Sequence, residues 1–177
     1  TRQQFNQLGS HDTARILWVL NGDQALVKLG TALLMTFPGV PCIYYGDEIL
    51  MDGGSDPDNR RCMRWDEATW DQDLRSYHQR LIQLRRTSSA LRQGGFQMVY
   101  AQDSLLAYLR ESADERLLIV GWRGPEKLTE TSIPVLHAGL ADGTQLEDAL
   151  TGSSFTVENG LIKLSGLERG RALILRG

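Results

Sequence analysis

The sequence has little cysteine, no excess of charge of one sign and no long apolar run, and each shortage excludes a class of protein. Its two cysteines, Cys42 and Cys62, exclude a disulfide-rich scaffold, and we expect them to be reduced, buried thiols. Nineteen basic and 22 acidic residues leave a net charge of −3, so we expect no nucleic-acid partner. No apolar run approaches the roughly 18–20 residues of a membrane span, so we expect no membrane partner.

What remains is the composition of an ordinary globular protein of 177 residues, 41% of them hydrophobic and 23% charged. The sequence opens at Thr1 without a signal-like segment. We expect a cytoplasmic protein. The lack of an initiator methionine is consistent with a portion of a longer polypeptide.

Residues 1–92 combine helical patterns with one apolar, strand-like segment. Residues 23–37 are apolar nearly all round, which predicts a helix packed between other elements. The run at 40–45 is bulky and does not alternate, as expected of a strand covered on both faces in a parallel sheet. Residues 71–87 show the apolar stripe of an amphipathic helix.

Residues 93–177 consist of short alternating runs separated by turn-forming residues. The pattern predicts strands near 96–102, 104–110, 116–123, 130–135, 153–157, 161–164 and 171–176. Several short strands at regular spacing favour an all-β antiparallel sandwich.

A first candidate cluster, His11 beside Asp12, precedes a helical stretch. An imidazole and a carboxylate together suit a ligand rich in hydroxyl groups, such as a sugar. The alternative is local, because Ser10, Asp12 or Thr13 are also suited to cap the helix that follows.

Two further clusters carry similar chemistry. Asp47 and Glu48 follow the apolar run, where an α/β fold binds ligands, although a plain turn with solvated acids is favoured for Asp47. Asp56 and Arg60 are suited to clamp hydroxyl groups by charge-assisted hydrogen bonds, or to form a surface salt bridge. Tyr45 is a candidate for stacking on a sugar ring, with core packing as the alternative.

No zinc pattern, phosphate-binding glycine loop, dinucleotide fingerprint or G-x-S-x-G motif occurs in the sequence. We therefore predict no metal ion and no cofactor.

Three segments taken together resemble the alpha-amylase family of glycoside hydrolases (family 13). They are FNQLGSHDTAR at 5–15, PGVPCIYYGDE at 38–48 and DPDNRRCMRWD at 56–66. The resemblance is closest to the group of neopullulanases, cyclomaltodextrinases, maltogenic amylases and maltodextrin glucosidases, which act on α-glucans.

The resemblance implies a fold class and a division into domains. Residues 1–92 are expected to be the C-terminal part of a (β/α)8 catalytic barrel, and residues 93–177 a C-terminal β-sandwich domain. It also implies site residues: Asp12 as the catalytic transition-state stabiliser, and His11, Asp56, Arg60 and Tyr45 as substrate-binding residues.

The family's nucleophile and general acid lie on earlier strands, which this sequence does not contain. We therefore expect the chain alone to be inactive and its partners to be an α-glucan oligosaccharide and the missing N-terminal part of the barrel. Exposed apolar surface would also favour a homodimer. The alternative function is a non-catalytic β-sandwich with a structural or carbohydrate-binding role.

Overall fold

The computed structural model describes residues 4–177, which divide into an N-terminal region ending at Gln83 and a C-terminal region beginning at Leu84. The N-terminal elements are β1 (Phe5–Gln7), α1 (Ile16–Val19), α2 (Gln24–Thr36), β2 (Val40–Cys42) and α3 (Gln72–Thr87), the last of which crosses the boundary. Short 3₁₀ turns occur at Asp47–Ile49, Asp58–Arg60 and Glu67–Thr69.

The N-terminal region contains a parallel strand–helix–strand unit. β1 pairs with β2 in parallel, with Phe5 opposite Val40, and α2 makes the connection. The carboxylate of Asp23 accepts a hydrogen bond from the N–H of Leu26 and so begins α2. Pro38 disfavours helix at the residue before it, which agrees with the end of α2 at Thr36. The helix predicted over 23–37 is therefore confirmed.

Two expectations for this region are wrong. The strand predicted over 40–45 ends at Cys42 and is not covered on both faces, since Val40 is 42% exposed. β2 pairs with a single strand over only three residues, so few neighbouring residues cover it. Beyond Cys42, the carbonyl of Tyr45 accepts a hydrogen bond from the Arg15 side chain and not from a neighbouring strand. The two thiols are free, as predicted, but both are exposed because Cys42 ends this short strand and Cys62 lies in a surface segment.

The C-terminal region is an antiparallel β structure. It contains α4 (Ser89–Gln93) and the strands β3 (Gly95–Gln102), β4 (Leu105–Glu111), β5 (Arg116–Trp122), β6 (Leu128–Pro134), β7 (Gln145–Asp148), β8 (Ser154–Glu158), β9 (Leu161–Leu167) and β10 (Ala172–Arg176), with a 3₁₀ turn at Leu136–Ala138. The strands run in the order β3-β4-β5-β10-β7-β8-β9-β6. Seven of these strands were predicted, and β7 was missed.

The sheet encloses one apolar core. Leu109 and Leu118, on β4 and β5, share this core with Ile133, Ile162 and Leu164, on β6 and β9. Strands from both ends of the strand order therefore line the same interior, which is the arrangement of a sandwich. The alternation of buried and exposed residues along β9 places its apolar positions toward this core.

Among the helices of residues 4–177, we find none with the length and apolar character that crossing a membrane requires.

Candidate functional site

The predicted His11–Asp12 pair lies in the loop that leaves the carboxyl end of β1. The N–H of Ser10 donates to Thr13 Oγ1 (3.0 Å), and the N–H of Asp12 donates to Ser10 Oγ (3.1 Å). These bonds shape the turn, and the His11 and Asp12 side chains are 64% and 72% exposed. α1 begins beyond the loop, after Arg15. The capping interpretation is therefore wrong, because the loop hydroxyls bond within the turn.

Four of the predicted site residues form a continuous set of polar contacts. His11 Nε2 lies 3.4 Å from Asp12 Oδ2, and Asp12 Oδ1 lies 3.7 Å from Arg60 Nη2. Arg60 Nε lies 3.0 Å from Asp56 Oδ1. All four side chains are exposed, so these contacts add little to stability, and their polar atoms remain accessible to a ligand.

Tyr45, the fifth predicted residue, is fixed in orientation beside the same segment. Its hydroxyl donates to the carbonyl of Arg61 at 2.8 Å. The Arg15 guanidinium lies 4.8 Å from its ring centre, and Tyr44 meets it edge to face at 4.6 Å. The residue nevertheless stays 39% exposed, so part of an oriented aromatic ring is available at the surface.

A buried amide ties the two predicted clusters together. Asn59 is fully buried, and its Nδ2 lies 2.9 Å from the carbonyl oxygen of His11 and 2.8 Å from that of Thr13. The carbonyl oxygen of Ser10 lies further away, at 3.4 Å. Asn59 belongs to the 3₁₀ turn that also contains Arg60, so it joins this turn to the His11–Asp12 loop.

Beneath the loop lies a buried ion pair that the sequence interpretation missed. Arg15 is fully buried, and its Nη1 donates to Asp47 Oδ1 (3.0 Å) and to the carbonyl of Tyr45 (2.7 Å). The interpretation of Asp47 as a solvated turn residue is therefore wrong. Burial raises the pKa of Asp47 from 3.8 to about 6, although the Arg15 charge and hydrogen bond oppose the rise.

The turn that brings Asp47 to Arg15 depends on a glycine. Gly46 adopts a left-handed conformation with φ of 86°, which favours glycine over residues with a β-carbon. The Met51 side chain occupies the space that such a carbon would need. Glycine is therefore needed at position 46 for the turn that places Asp47 beside Arg15.

The signals for the two missed residues were weak. Asn59 stands between charged neighbours in a turn-rich segment, which is typical of an exposed amide. Arg15 lies three residues beyond Asp12, and arginine is seldom fully buried unless it is paired. Only the fold brings Asp47 to it from a distant part of the sequence. Among residues 4–177, no group of three or more potential ligands is arranged to hold a metal ion.

Comparison with known proteins identifies the family. The alpha amylase catalytic domain model matches residues 1–82, and the neopullulanase-like C-terminal domain model matches residues 96–171. A cyclomaltodextrinase of Bacillus sp is 42% identical over 144 residues, covering 80% of this chain and 26% of that protein. Neopullulanase 2 of Thermoactinomyces vulgaris is 34% identical over 164 residues, covering 91% of this chain and 27% of that protein.

Solved structures agree with these matches. A cyclomaltodextrinase structure superposes with a TM-score of 0.86 at 35% identity, covering 99% of this chain and 30% of that one. An alpha-amylase from Geobacillus thermoleovorans, complexed with acarbose, gives a TM-score of 0.86 at 27% identity, covering 99% of this chain and 39% of that one. The chain belongs to the alpha-amylase family and matches the C-terminal region of its cyclomaltodextrinase- and neopullulanase-type members.

The predicted fold class, a barrel remnant followed by an antiparallel sandwich, is thereby confirmed. The chain spans about a quarter of the length of the curated relatives described above.

Proposed function

We propose that the chain is the C-terminal portion of a retaining α-glucan hydrolase that cleaves α-1,4-glucosidic bonds of cyclomaltodextrins, pullulan or maltodextrins. It contributes residues that bind substrate and stabilise the transition state. The observation that carries the proposal is the continuous set of contacts from His11 through Asp12 and Arg60 to Asp56, exposed at the carboxyl end of β1.

Asp12 has the chemistry that the cleavage step needs. Retaining glycosidases pass through a transition state like an oxocarbenium ion, and hydrogen bonds to the ring hydroxyls strengthen as it forms. The two oxygens of an ionised carboxylate accept bonds from two adjacent hydroxyls. We assign Asp12 this role and assign His11 a hydrogen bond to the same sugar.

Asp56 and Arg60 are assigned to the neighbouring sugar. The Arg60 guanidinium donates hydrogen bonds to hydroxyl oxygens, and the Asp56 carboxylate accepts hydrogen bonds from hydroxyl groups. The pair can therefore clamp the hydroxyl groups of that sugar from two sides. Tyr45 is assigned to stack on a face of the sugar ring. Its hydroxyl bond to Arg61 and its contact with the Arg15 guanidinium keep the aromatic ring in one orientation.

The nucleophile and the general acid are assigned to parts of the complete enzyme outside this chain. In retaining enzymes these two carboxyl groups are about 5–5.5 Å apart and face the scissile bond. The partner of residues 1–92 is then the remainder of the catalytic barrel, residues 93–177 form the separate sandwich domain, and a homodimer is a further proposal. The relatives' names, cyclomaltodextrinase and neopullulanase, support the substrate class.

The test compares the complete gene product with residues 1–177 alone. Both are incubated with γ-cyclodextrin and with maltoheptaose, and the products and their anomeric form are followed by chromatography and NMR. We expect the complete product to release α-anomeric malto-oligosaccharides and residues 1–177 to release none. Absence of α-glucan cleavage by the complete product would overturn the proposed function, and cleavage by residues 1–177 would overturn the assignment of the nucleophile and general acid elsewhere.

A further inference from the structure

We infer that Asn59 is a positioning residue for catalysis, which holds the His11–Asp12 loop in register with Arg60. The inference rests on the proposed function. Asn59 has no role in our assignment of substrate contacts, and it is distinguished from the assigned residues by its complete burial. It acts on the substrate only through the backbone it supports.

The orientation of the Asn59 amide is fixed by its surroundings. The carbonyl oxygens of Ser10, His11 and Thr13 surround its nitrogen, and a carbonyl can only accept a hydrogen bond. The NH₂ group must therefore point toward the loop. Its two hydrogens match the two short contacts, at 2.9 Å to His11 and 2.8 Å to Thr13.

These bonds enclose the residue that is proposed to act in the transition state. The carbonyls of His11 and Thr13 flank Asp12 on both sides along the chain, so the Asn59 amide grips the backbone immediately before and after it. The loop is also shaped by a backbone bond from the N–H of Thr13 to the carbonyl of Ser10 (3.3 Å) and by exposed bonds to the Ser10 and Thr13 hydroxyls. The two Asn59 bonds are partly shielded from water, and such shielding makes a hydrogen bond stronger than an exposed one.

The element that carries Asn59 is itself firmly held. Asp58 accepts a hydrogen bond from the N–H of Gly54 at 2.7 Å and from Arg61 Nε at 2.7 Å. Asn59 and Arg60 therefore project from one braced 3₁₀ turn. The same turn thus sets the position of Arg60 and, through Asn59, the position of Asp12. Asp12 Oδ1 lies 3.7 Å from Arg60 Nη2.

Two substitutions remove this support in different ways. Asn59→Asp directs carboxylate oxygens at carbonyl oxygens, which repel them. Asn59→Ala leaves the carbonyls of His11 and Thr13 without this donor and introduces no charge. Because a displacement of about 1 Å in a catalytic group can cost roughly 100-fold in rate, we expect either change to lower kcat by at least about 20-fold.

The experiment uses the complete gene product with maltoheptaose as the probe, and kcat and KM are measured below the melting temperature of every variant. The matched control is Asn6→Asp, since the Asn6 amide also donates to a backbone carbonyl, that of Pro38, at 2.7 Å. We expect the control to keep kcat within about twofold. Both Asn59 variants should lose kcat with KM changed by less than about threefold.

A double-mutant cycle separates positioning from general damage. If Asn59 acts through the loop, its effect should shrink to less than about threefold once Asp12→Ala has removed the group being positioned. The inference is overturned if both Asn59 variants keep kcat within threefold, if Asn6→Asp loses as much, or if the full loss persists beside Asp12→Ala. An unsubstituted product that does not cleave α-glucans overturns the proposed function and this inference together.

Discussion

Each of the two regions buries one aspartate beside an arginine: Asp47 with Arg15 in the N-terminal region, and Asp148 with Arg171 in the sandwich. Asp148 accepts hydrogen bonds from the N–H of Ile174 at 3.0 Å, from the Thr151 hydroxyl and from Arg171. Asp47 accepts its bond from Arg15 Nη1. The same pair of residue types is therefore fully satisfied in one region and sparsely satisfied in the other.

The difference extends to the other buried polar atoms. Within residues 4–177, the buried side-chain nitrogen and oxygen atoms without a hydrogen-bond partner are Arg15 Nε, Arg15 Nη2, Glu48 Oε2 and Asn59 Oδ1, all of them in the N-terminal region. Since buried polar groups are nearly always bonded in complete domains, the sandwich has the properties of a finished unit. The N-terminal region by itself leaves buried side-chain polar atoms without hydrogen-bond partners, as expected if it belongs to a larger barrel.

The largest effect should come from the exposed acid of the N-terminal region. Asp12→Ala in the complete gene product should lower kcat on maltoheptaose by about 10²–10⁴-fold, because the carboxylate contacts that strengthen in the transition state are lost. Its melting temperature should hardly change, since the side chain is exposed. The control is Asp114→Ala in the sandwich, which should keep kcat within twofold. A near-normal kcat for Asp12→Ala would refute the assigned role.

The buried acid of the sandwich should govern stability instead. Asp148→Ala removes the acceptor for the buried N–H of Ile174, the Thr151 hydroxyl and Arg171, and should lower the free energy of unfolding by about 2–3 kcal/mol. Urea denaturation of the 177-residue chain, followed by circular dichroism, measures the change. Asp114→Ala again serves as the control and should stay within about 0.5 kcal/mol. A loss below about 1 kcal/mol for Asp148→Ala would mean that the two buried acids do not differ in this way.

The smallest effect is a pH dependence specific to Asp47. Its pKa is raised to about 6 in the folded chain from 3.8, so the folded chain binds more protons between about pH 4 and 6. The free energy of unfolding therefore falls as the pH rises through that window. Asp47→Asn keeps an oxygen acceptor for Arg15 and does not titrate.

Urea midpoints of the wild type and of Asp47→Asn at pH 4.5 and pH 7.5 test this prediction. We expect the wild type to lose stability relative to the variant at the higher pH. Equal pH dependence in both proteins would show that folding does not raise the pKa of Asp47.

The same contrast explains how much of the fold the sequence predicted. Seven sandwich strands were found because each shows either an alternating or a continuous apolar run that is bounded by turn-forming residues. β7 was missed because its four residues include three polar ones, and Asp148, which looks like a turn residue, is buried there. β2 was predicted too long, because an apolar run does not reveal where its hydrogen-bonding partner ends.

For the site, the sequence indicated the exposed residues and missed their supports. His11, Asp12, Asp56 and Arg60 stand in recognisable motifs, and the structure brings them into contact. Asn59 was missed because its role depends on contact with a loop more than 40 residues away in sequence. Local pattern carries no information about such a contact.

The exposed thiols have a practical consequence. Cys62 lies two residues beyond Arg60, and its sulfur is free and accessible. Once Cys42 is replaced by serine in the 177-residue chain, a polarity-sensitive dye on Cys62 becomes a single-site optical reporter close in sequence to Arg60. Sugar occupancy could then be followed by fluorescence in real time, without any turnover.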